Sequence, residues 1–299
     1  MKSKKIKTIV VHNGTFHADD IFAVAVISLV FQDKYRIKII RTRDEQIVSK
    51  GDFVADVGGI YDAEKNRFDH HQEGGAGKRG NGIPYSSFGL VWRKFGNNLA
   101  DSESVALAVD KKLVQPIDAG DNGDSIFYPL YGEIFPYEIQ NFMSAHNPTW
   151  QERKANHDAI FLKLVEVAKT SINREIIVAQ ASVGASSRVE KIYENSVEKR
   201  IIIFDRDYPI ERLLDFKEPL FVIYPNEKNM MWHVRAVRDN VTMFKNRKDL
   251  PKNWAGKRDK DLQKITGVSD AVFCHNRRFL AVARSKEGAL KLAQLAIEQ

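Results

Sequence analysis

The chain has 299 residues, 43% hydrophobic and 28% charged, which suits one large domain or two modest ones with a real core. No unbroken apolar run is long enough to span a membrane. The single cysteine, Cys274, excludes an intramolecular disulfide and a thiolate zinc site. A reducing, cytoplasmic setting is therefore expected. The basic start Met1–Lys7 leads into only Ile6 to Val11, too short for the apolar part of a signal peptide. The net charge of +7 is unevenly spread: residues 1–150 carry 18 Lys+Arg against 19 Asp+Glu, and residues 151–299 carry 28 against 20. A neutral half and a basic half fit an acidic site paired with a surface for a polyanion.

In chain order, Lys7 to Val11 predicts a buried strand that delivers His12 at its carboxyl end. Asn13-Gly14-Thr15 is turn chemistry. Asp19 and Asp20 lead an apolar run, Ile21 to Phe31, that predicts a helix with acids in its first turn. Arg36 to Ile40 predicts a second strand, and Phe53 to Ala55 a third that ends in Asp56. Tyr61 to Phe68 predicts a hairpin that hands the chain to Asp69-His70-His71. The glycine-rich stretch Glu73 to Ile83 reads as a mobile loop placing Lys78 and Arg79 near these residues. Ser86 to Phe95 and Ser102 to Val114 predict helices, and Pro116 to Asp124 an acid-bearing, breaker-rich segment. Tyr128 to Trp150 is aromatic and proline-rich without clear periodicity. Asn156 to Ala181 has helical spacing over many turns. Strands are then expected at Arg200 to Phe204, Leu220 to Tyr224 and Met230 to Val237. Lys245 to Lys264 is charged and broken. A hairpin, Ala271 to His275 and Phe279 to Ala283, precedes a final amphipathic helix from Gly288 to Glu298.

His12, His17, Asp19, Asp56, Asp69 and His70 share one chemistry. Carboxylates and imidazoles without thiolates suit manganese, magnesium or zinc. They fall at separate strand-to-loop junctions of one α/β half, where open parallel sheets gather their ligands. The glycine turn lets His12, His17 and Asp19 converge, and Asp56 can bridge two metals. His70 or His71, with Asp118 or Asp121, can complete the second. Two such cations can activate water and clamp a phosphoryl group. Taken singly, each residue also has an ordinary role: a hydrogen-bonded histidine, a helix cap, a turn former.

The order His-Asn-Gly-Thr-Phe-His-x-Asp, Asp-Val-Gly-Gly, Asp-His-His-Gln and Asp-Ala-x-Asp-Asn-Gly resembles the melanocyte-proliferating-gene (MYG) exonuclease family of the DHH phosphoesterase superfamily. Arg41-Thr42-Arg43-Asp44, Asn147-Pro148-Thr149-Trp150 and Lys286-Glu287-Gly288-Ala289 extend the resemblance over nearly the whole chain. It implies an α/β fold: a DHH-phosphoesterase-like, parallel-sheet catalytic domain at 1–150, a helical connector at 151–198 and a smaller α+β substrate domain at 199–299. It also implies two divalent cations, Mn²⁺ first and Mg²⁺ or Zn²⁺ as alternatives. His12, His17 and Asp56 would hold one, and Asp19, Asp56, His70 and Asp121 the other, with Asp121 favoured over Asp118. His71 would face the scissile phosphate and Asp69 would orient a histidine. Two departures stand out: His17 occupies a position usually held by aspartate, and Leu280 to Ser285 lacks the Gly-Gly-His substrate motif of the superfamily. Arg235, Lys257, Arg258, His275, Arg277, Arg284 and Ser285 are the remaining substrate-binding candidates.

The expected activity is thus a metal-dependent 3′→5′ exonuclease on single-stranded RNA or short oligonucleotides, with no membrane partner; a homodimer is compatible with this reading. The rivals are a small-molecule phosphoesterase, for a dinucleotide, pyrophosphate or sugar phosphate, and a non-catalytic nucleic-acid-binding protein. Salt separates the first rival, because binding of a long polyanion weakens steeply with ionic strength. Absence of hydrolysis in Mn²⁺ would mark the second.

Overall fold

A computed structural model describes residues 4–240 and 244–299; the first residues of the basic start, 1–3, lie outside them. The fold is mixed α/β. The chain divides into two compact units, one up to Gln180 and the other from Ala181. Among the described residues no helix is long and apolar enough to cross a membrane.

The first unit is built on strands β1 (Ile6–Val11), β2 (Arg36–Arg41), β3 (Phe53–Ala55), β4 (Tyr61–Asp62) and β5 (Arg67–Phe68), with α1 (Ala18–Phe31) and α2 (Glu45–Lys50) between the first three. The strand order is β2-β1-β3-β5-β4. β1, β2, β3 and β5 run parallel, and only the edge strand β4 is antiparallel. The parallel pairing follows from composition: Ile9, Val10 and Val11 are fully buried, as a central strand covered on both faces requires. α1 is apolar all round and buried from Ala18 to Ser28, which is the pattern of a helix enclosed on every side. It packs against β1 and against α3 (Ser87–Ala100), with Phe22 and Phe88 rings 5.2 Å apart.

Because β1, β3 and β5 run parallel, their carboxyl ends emerge on one edge of the sheet. His12 follows β1, Asp56 follows β3, and Asp69 and His70 follow β5. This topology, rather than proximity in sequence, collects the histidines and acids.

Helices α4 (Glu103–Val109), α5 (Gln115–Asp121) and α6 (Ile139–Ser144) complete the unit. The breaker-rich stretch expected from Pro116 to Asp124 is in fact helical as far as Asp121. A π-helical turn at Asp110–Val114 precedes it, with the Gln115 amide reaching back to the Asp110 carbonyl. The wider turn admits Pro116, which has no amide to donate. α7 (His157–Asn195) is longer than its apolar spacing indicated and contributes residues to both units.

The second unit holds β6 (Ile201–Ile203), β7 (Phe221–Asn226), β8 (Met231–Ala236), α8 (Asp259–Thr266), β9 (Ala271–Cys274), β10 (Leu280–Ala283) and α9 (Lys286–Glu298). Its sheet has the order β6-β7-β8-β10-β9, parallel only between β6 and β7. Period-two alternation sets the two faces. Phe221, Ile223, Val234 and Ala236 share a core with Leu292 and Ala296 of α9, whereas Val222 and Tyr224 pack with Val189, Phe204 and Leu213. α8 forms inside the charged stretch, with Asp259 and Asp261 in its first turn and Gly267 left-handed (φ 69°) at its end.

Candidate metal centre

The loop between β1 and α1 is shaped by close contacts. A Cβ on Gly14 would lie 3.3 Å from Arg43 and 3.4 Å from His12. Arg41 donates to the Gly14 carbonyl at 2.7 Å, with its guanidinium 4.7 Å from the Phe161 ring centre. Asn147 accepts from the Phe16 amide at 3.1 Å and donates to the Phe16 carbonyl at 2.7 Å. Gln140 accepts from Ala18 at 2.8 Å. The loop that carries His12 and His17 is therefore clamped from outside.

Asp56 lies at the middle of the cluster. One carboxylate oxygen is 3.1 Å from His12 Nε2 and 3.9 Å from His17 Nε2; the other is 3.6 Å from His70 Nε2 and 3.4 Å from His71 Nδ1. Asp121, at the end of α5, lies 3.1 Å from His17 Nδ1 and 3.2 Å from His70 Nε2. Asp19 Oδ2 is 4.0 Å from His70 Nε2. The donors thus form three groups, His12–His17–Asp56, Asp19–His70–Asp121 and Asp56–His70–His71.

Asp19 also accepts from the amides of Ser87 at 3.1 Å and Phe88 at 2.6 Å, and from the Ser86 hydroxyl. The first turn of α3 has amides without helical partners, and a carboxylate suits that end of the helix. Asp20 accepts from the His17 amide at 3.0 Å and so caps α1. Its second oxygen lies 3.2 Å from His12 Nε2, which makes it a fourth carboxylate at the cluster and one not singled out as a ligand from the sequence. Asp118 does not join them. It accepts from Arg79 at 2.6 Å and the Gly89 amide at 3.0 Å, and lies 2.5 Å from the Ser86 hydroxyl oxygen.

Asp69 is buried and accepts from the Gly59 amide at 2.6 Å. Its other oxygen is 2.7 Å from His71 Nδ1. His71 is the exposed member of the cluster, its side chain 60% accessible.

The residues fit a divalent cation on two independent grounds. First, the buried atoms His17 Nδ1, Asp20 Oδ2, Asp56 Oδ2 and His70 Nε2 have no hydrogen-bond partner, although N···O separations are as short as 3.1 Å. They are close but not aligned for hydrogen bonding, a condition that calls for an explanation such as an ion. Second, the electrostatics demand positive charge. Burial and the carboxylates of Asp121 and Asp56 push Asp19 well above the usual range. Burial works against charge on His70, but Asp121, Asp56 and Asp19 outweigh it and raise the imidazole to about 11. The same contest, with Asp121, Asp20 and Asp56, raises His17 to about 10. Burial raises Asp56 too, yet His12, His70 and His17 hold it far below the ordinary carboxylate range. Imidazole protons fill the role that a cation takes over on binding. Mn²⁺ at a hundred times its Kd should add about 2.7 kcal/mol to stability. Differential scanning fluorimetry should show the melting temperature rising by several degrees with Mn²⁺ and falling back with EDTA.

The expectation of free charge beside the cluster is corrected for Arg79, while Lys78 is exposed. The Arg79 side chain is only 7% exposed and is bonded to Asp118 and to Asp110, the latter at 2.8 Å. Its loop is not an open tether: Arg79 N–H bonds the Ile83 carbonyl and Tyr85 N–H bonds Gly77. The carboxylates of Asp118 and Asp110 hold the guanidinium inward against the cost of its desolvation.

The candidates for substrate binding all lie in the second unit. Arg235 is on β8. Lys257 and Arg258 precede α8, and the Arg258 guanidinium sits 4.4 Å from the Phe273 ring centre. His275 and Arg277 are in the β9–β10 turn, with the His275 ring 4.3 Å from Phe279. Arg284 is 3.9 Å from Asp259. Ser285 caps α9: it donates to Asp270 at 2.6 Å and accepts from the Gly288 amide at 3.0 Å. That role accounts for it without a substrate.

Sequence reasoning passed over Ser86, Ser87 and Gln140, which carry no motif signal. Arg41 and Asn147 did have one, since each belongs to a short stretch that supported the family resemblance.

Fold and site together describe a mixed α/β protein with a buried histidine–aspartate centre suited to divalent cations. Residues 8–297 match the family model MYG1_exonuc, described as "Uncharacterised protein family (UPF0160)". The chain belongs to this family. It is 32% identical to the MYG1 protein of Dictyostelium discoideum, over 98% of this chain and 97% of that one. It is 28% identical to the MYG1 exonuclease of Homo sapiens, over 96% of this chain and 85% of the relative. It is 30% identical to a MYG1 protein of Chlamydia pneumoniae, over 98% and 97%.

Proposed function

We propose that this chain is a metal-dependent phosphodiesterase, a 3′→5′ exonuclease acting on single-stranded RNA or short oligonucleotides. The observation that carries the proposal is the convergence of donor groups on Asp56 at the carboxyl ends of β1, β3 and β5. The human relative's name, an exonuclease, supports the same class. In this reading residues 1–150 are a DHH-phosphoesterase-like catalytic domain, 151–198 a connector and 199–299 a substrate domain. His12, His17 and Asp56 would hold one cation, and Asp19, Asp56, His70 and Asp121 the second. Mn²⁺ suits the mixed nitrogen and oxygen donors, with Mg²⁺ and Zn²⁺ as alternatives. Such a pair supplies Lewis acidity and lowers the pKa of water.

The chain's own groups do the rest. Asp56 reaches toward both donor sets, and so fixes their separation. The short contact to Asp69 makes His71 Nδ1 the protonated nitrogen facing the carboxylate, which turns Nε2 outward. As the imidazolium, which the Asp69 carboxylate favours, His71 would carry a second proton on Nε2 and donate it to the leaving oxygen, or stabilise charge on the phosphoryl group. Arg235, Lys257, Arg258, His275, Arg277 and Arg284 supply positive charge and ring faces for a strand. Asp69→Asn should lower kcat by about 10- to 100-fold with little change in KM, because it unfixes His71 without removing a ligand. Steady-state kinetics on a labelled oligoribonucleotide check this.

The test of the function is incubation of the protein with end-labelled RNA, DNA, a dinucleotide and pyrophosphate, each in Mn²⁺, Mg²⁺ or EDTA. Stepwise shortening of RNA from its 3′ end, abolished by EDTA and weakened steeply by salt, is expected. Hydrolysis of pyrophosphate alone, or none with any cation, overturns the reading.

A further inference from the structure

Between α5, which ends in Asp121, and α6 lies a segment with no regular structure and an unusual surface. Tyr128, Leu130, Tyr131, Ile134, Phe135 and Tyr137 are each between 58% and 93% exposed. The segment is not shapeless. The Ile134 amide bonds the Tyr131 carbonyl at 3.2 Å, the Ser125 hydroxyl bonds the Phe127 carbonyl at 2.8 Å, and the Phe127 and Phe135 rings meet edge to face at 6.1 Å. These contacts hold the turns while leaving the large side chains outside.

We propose that residues 126–137 form the interface through which two copies of this chain pair. The area argues for it. Four of the six are aromatic, and large aromatic side chains carry roughly 150–250 Å² each; with the exposed Leu130 and Ile134 the patch comes to on the order of 1,000 Å². Exposed apolar patches of monomers are usually a few hundred Å², and a stable interface takes about 800 Å² from each partner. An isologous pair covers the same patch on both copies at once. Composition points the same way: tyrosine and phenylalanine are enriched in interface cores, and lysine is depleted. Charge argues against a nucleic-acid strand on this surface. No lysine or arginine stands between Lys112 and Arg153, while Asp124 and Glu138 flank the patch and Glu133 lies within it, so phosphates would find no counter-charge. The location gives pairing a consequence: α5 carries Asp121, and α6 carries Gln140, which bonds the start of α1. A covered segment would brace both.

The experiment is sedimentation velocity and multi-angle light scattering on the full chain over a wide concentration range. It is repeated on the variant Leu130→Asp/Tyr131→Asp/Ile134→Asp, whose positions are all exposed. The wild type should show twice the 34.1 kDa chain mass and the variant the single mass, with an unchanged circular dichroism spectrum. As a second measurement, a photo-cross-linking benzoylphenylalanine replaces Tyr128 and should join two copies into one band on irradiation. A wild type that stays monomeric, a dimer that survives the triple variant, or cross-links formed to added RNA or within one chain instead of between copies would each overturn the proposal. If the triple variant misfolds, the cross-link alone decides.

Discussion

Asp56→Asn should abolish the thermal shift by Mn²⁺ and reduce metal-dependent hydrolysis by more than about a hundredfold. Loss of a partner that merely orients a ligand typically costs 10- to 100-fold, and Asp56 lies within 4 Å of four imidazoles. Asp121 also touches both sides, through His17 and His70, but among the carboxylates at the cluster Asp56 alone reaches all of His12, His17, His70 and His71. Asparagine is the informative replacement for a backbone reason. Asp56 has φ 57°, a left-handed conformation that Asn tolerates and Ala resists by about 1–2 kcal/mol. Asp56→Ala would mix strain with lost ligation. Calorimetric titration with Mn²⁺ on folded Asp56→Asn is the measurement. Undiminished affinity would place the metal elsewhere.

Gly89→Ala should destabilise the protein by about 1–3 kcal/mol or more, as overpacking of a tight contact does. This inverts the usual effect, since alanine favours a helix interior over glycine by about 1 kcal/mol. A Cβ on Gly89 would overlap the Asp118 carboxylate. Asp118 cannot swing away, because Arg79 holds it at 2.6 Å and the Ser86 hydroxyl oxygen lies 2.5 Å from it. The helices α3 and α5 would have to separate. Asp19 is bonded to the first turn of α3 and Asp121 ends α5, so the second donor group would widen and Mn²⁺ affinity should fall as well. Gly184→Ala is the control. Gly184 lies in α7 with nothing within 4 Å of its Cβ position, so the same substitution should stabilise by roughly 0.4–1 kcal/mol. Chemical denaturation of the two variants side by side tests the difference in sign.

Much of the fold was legible because its signals are local. The β-branched run ahead of His12, the all-apolar run after Asp20 and the turn chemistry at Ala63–Asn66 each depend on a few neighbouring residues. The helix through Pro116 was hidden because its solution, a π-helical turn, depends on the chain before the proline and not on the proline itself. Arg79 read as free charge because a glycine-rich loop shows no partner in sequence; its partners, Asp110 and Asp118, stand 31 and 39 residues away. The aromatic stretch from Tyr128 to Trp150 showed no clear periodicity, and its one helix, α6, is a short one of six residues from Ile139 to Ser144.

For the centre the division is similar. Residue type alone determined that His12, His17, Asp56 and His70 suit a cation, since only carboxylates and imidazoles bring that chemistry without thiolates. Sequence order also placed them at strand ends. Which acid of the pair Asp118 and Asp121 faces the histidines was a tertiary decision: one turn of α5 points Asp118 into the α3 contact and leaves Asp121 at the helix end between His17 and His70. Asp20 at the cluster, the clamp of Asp19 on α3 and the pairing of Asp69 with His71 were decided there too. Each depends on groups that meet only when parallel strands bring their ends to one edge of a sheet, and no local pattern encodes that meeting.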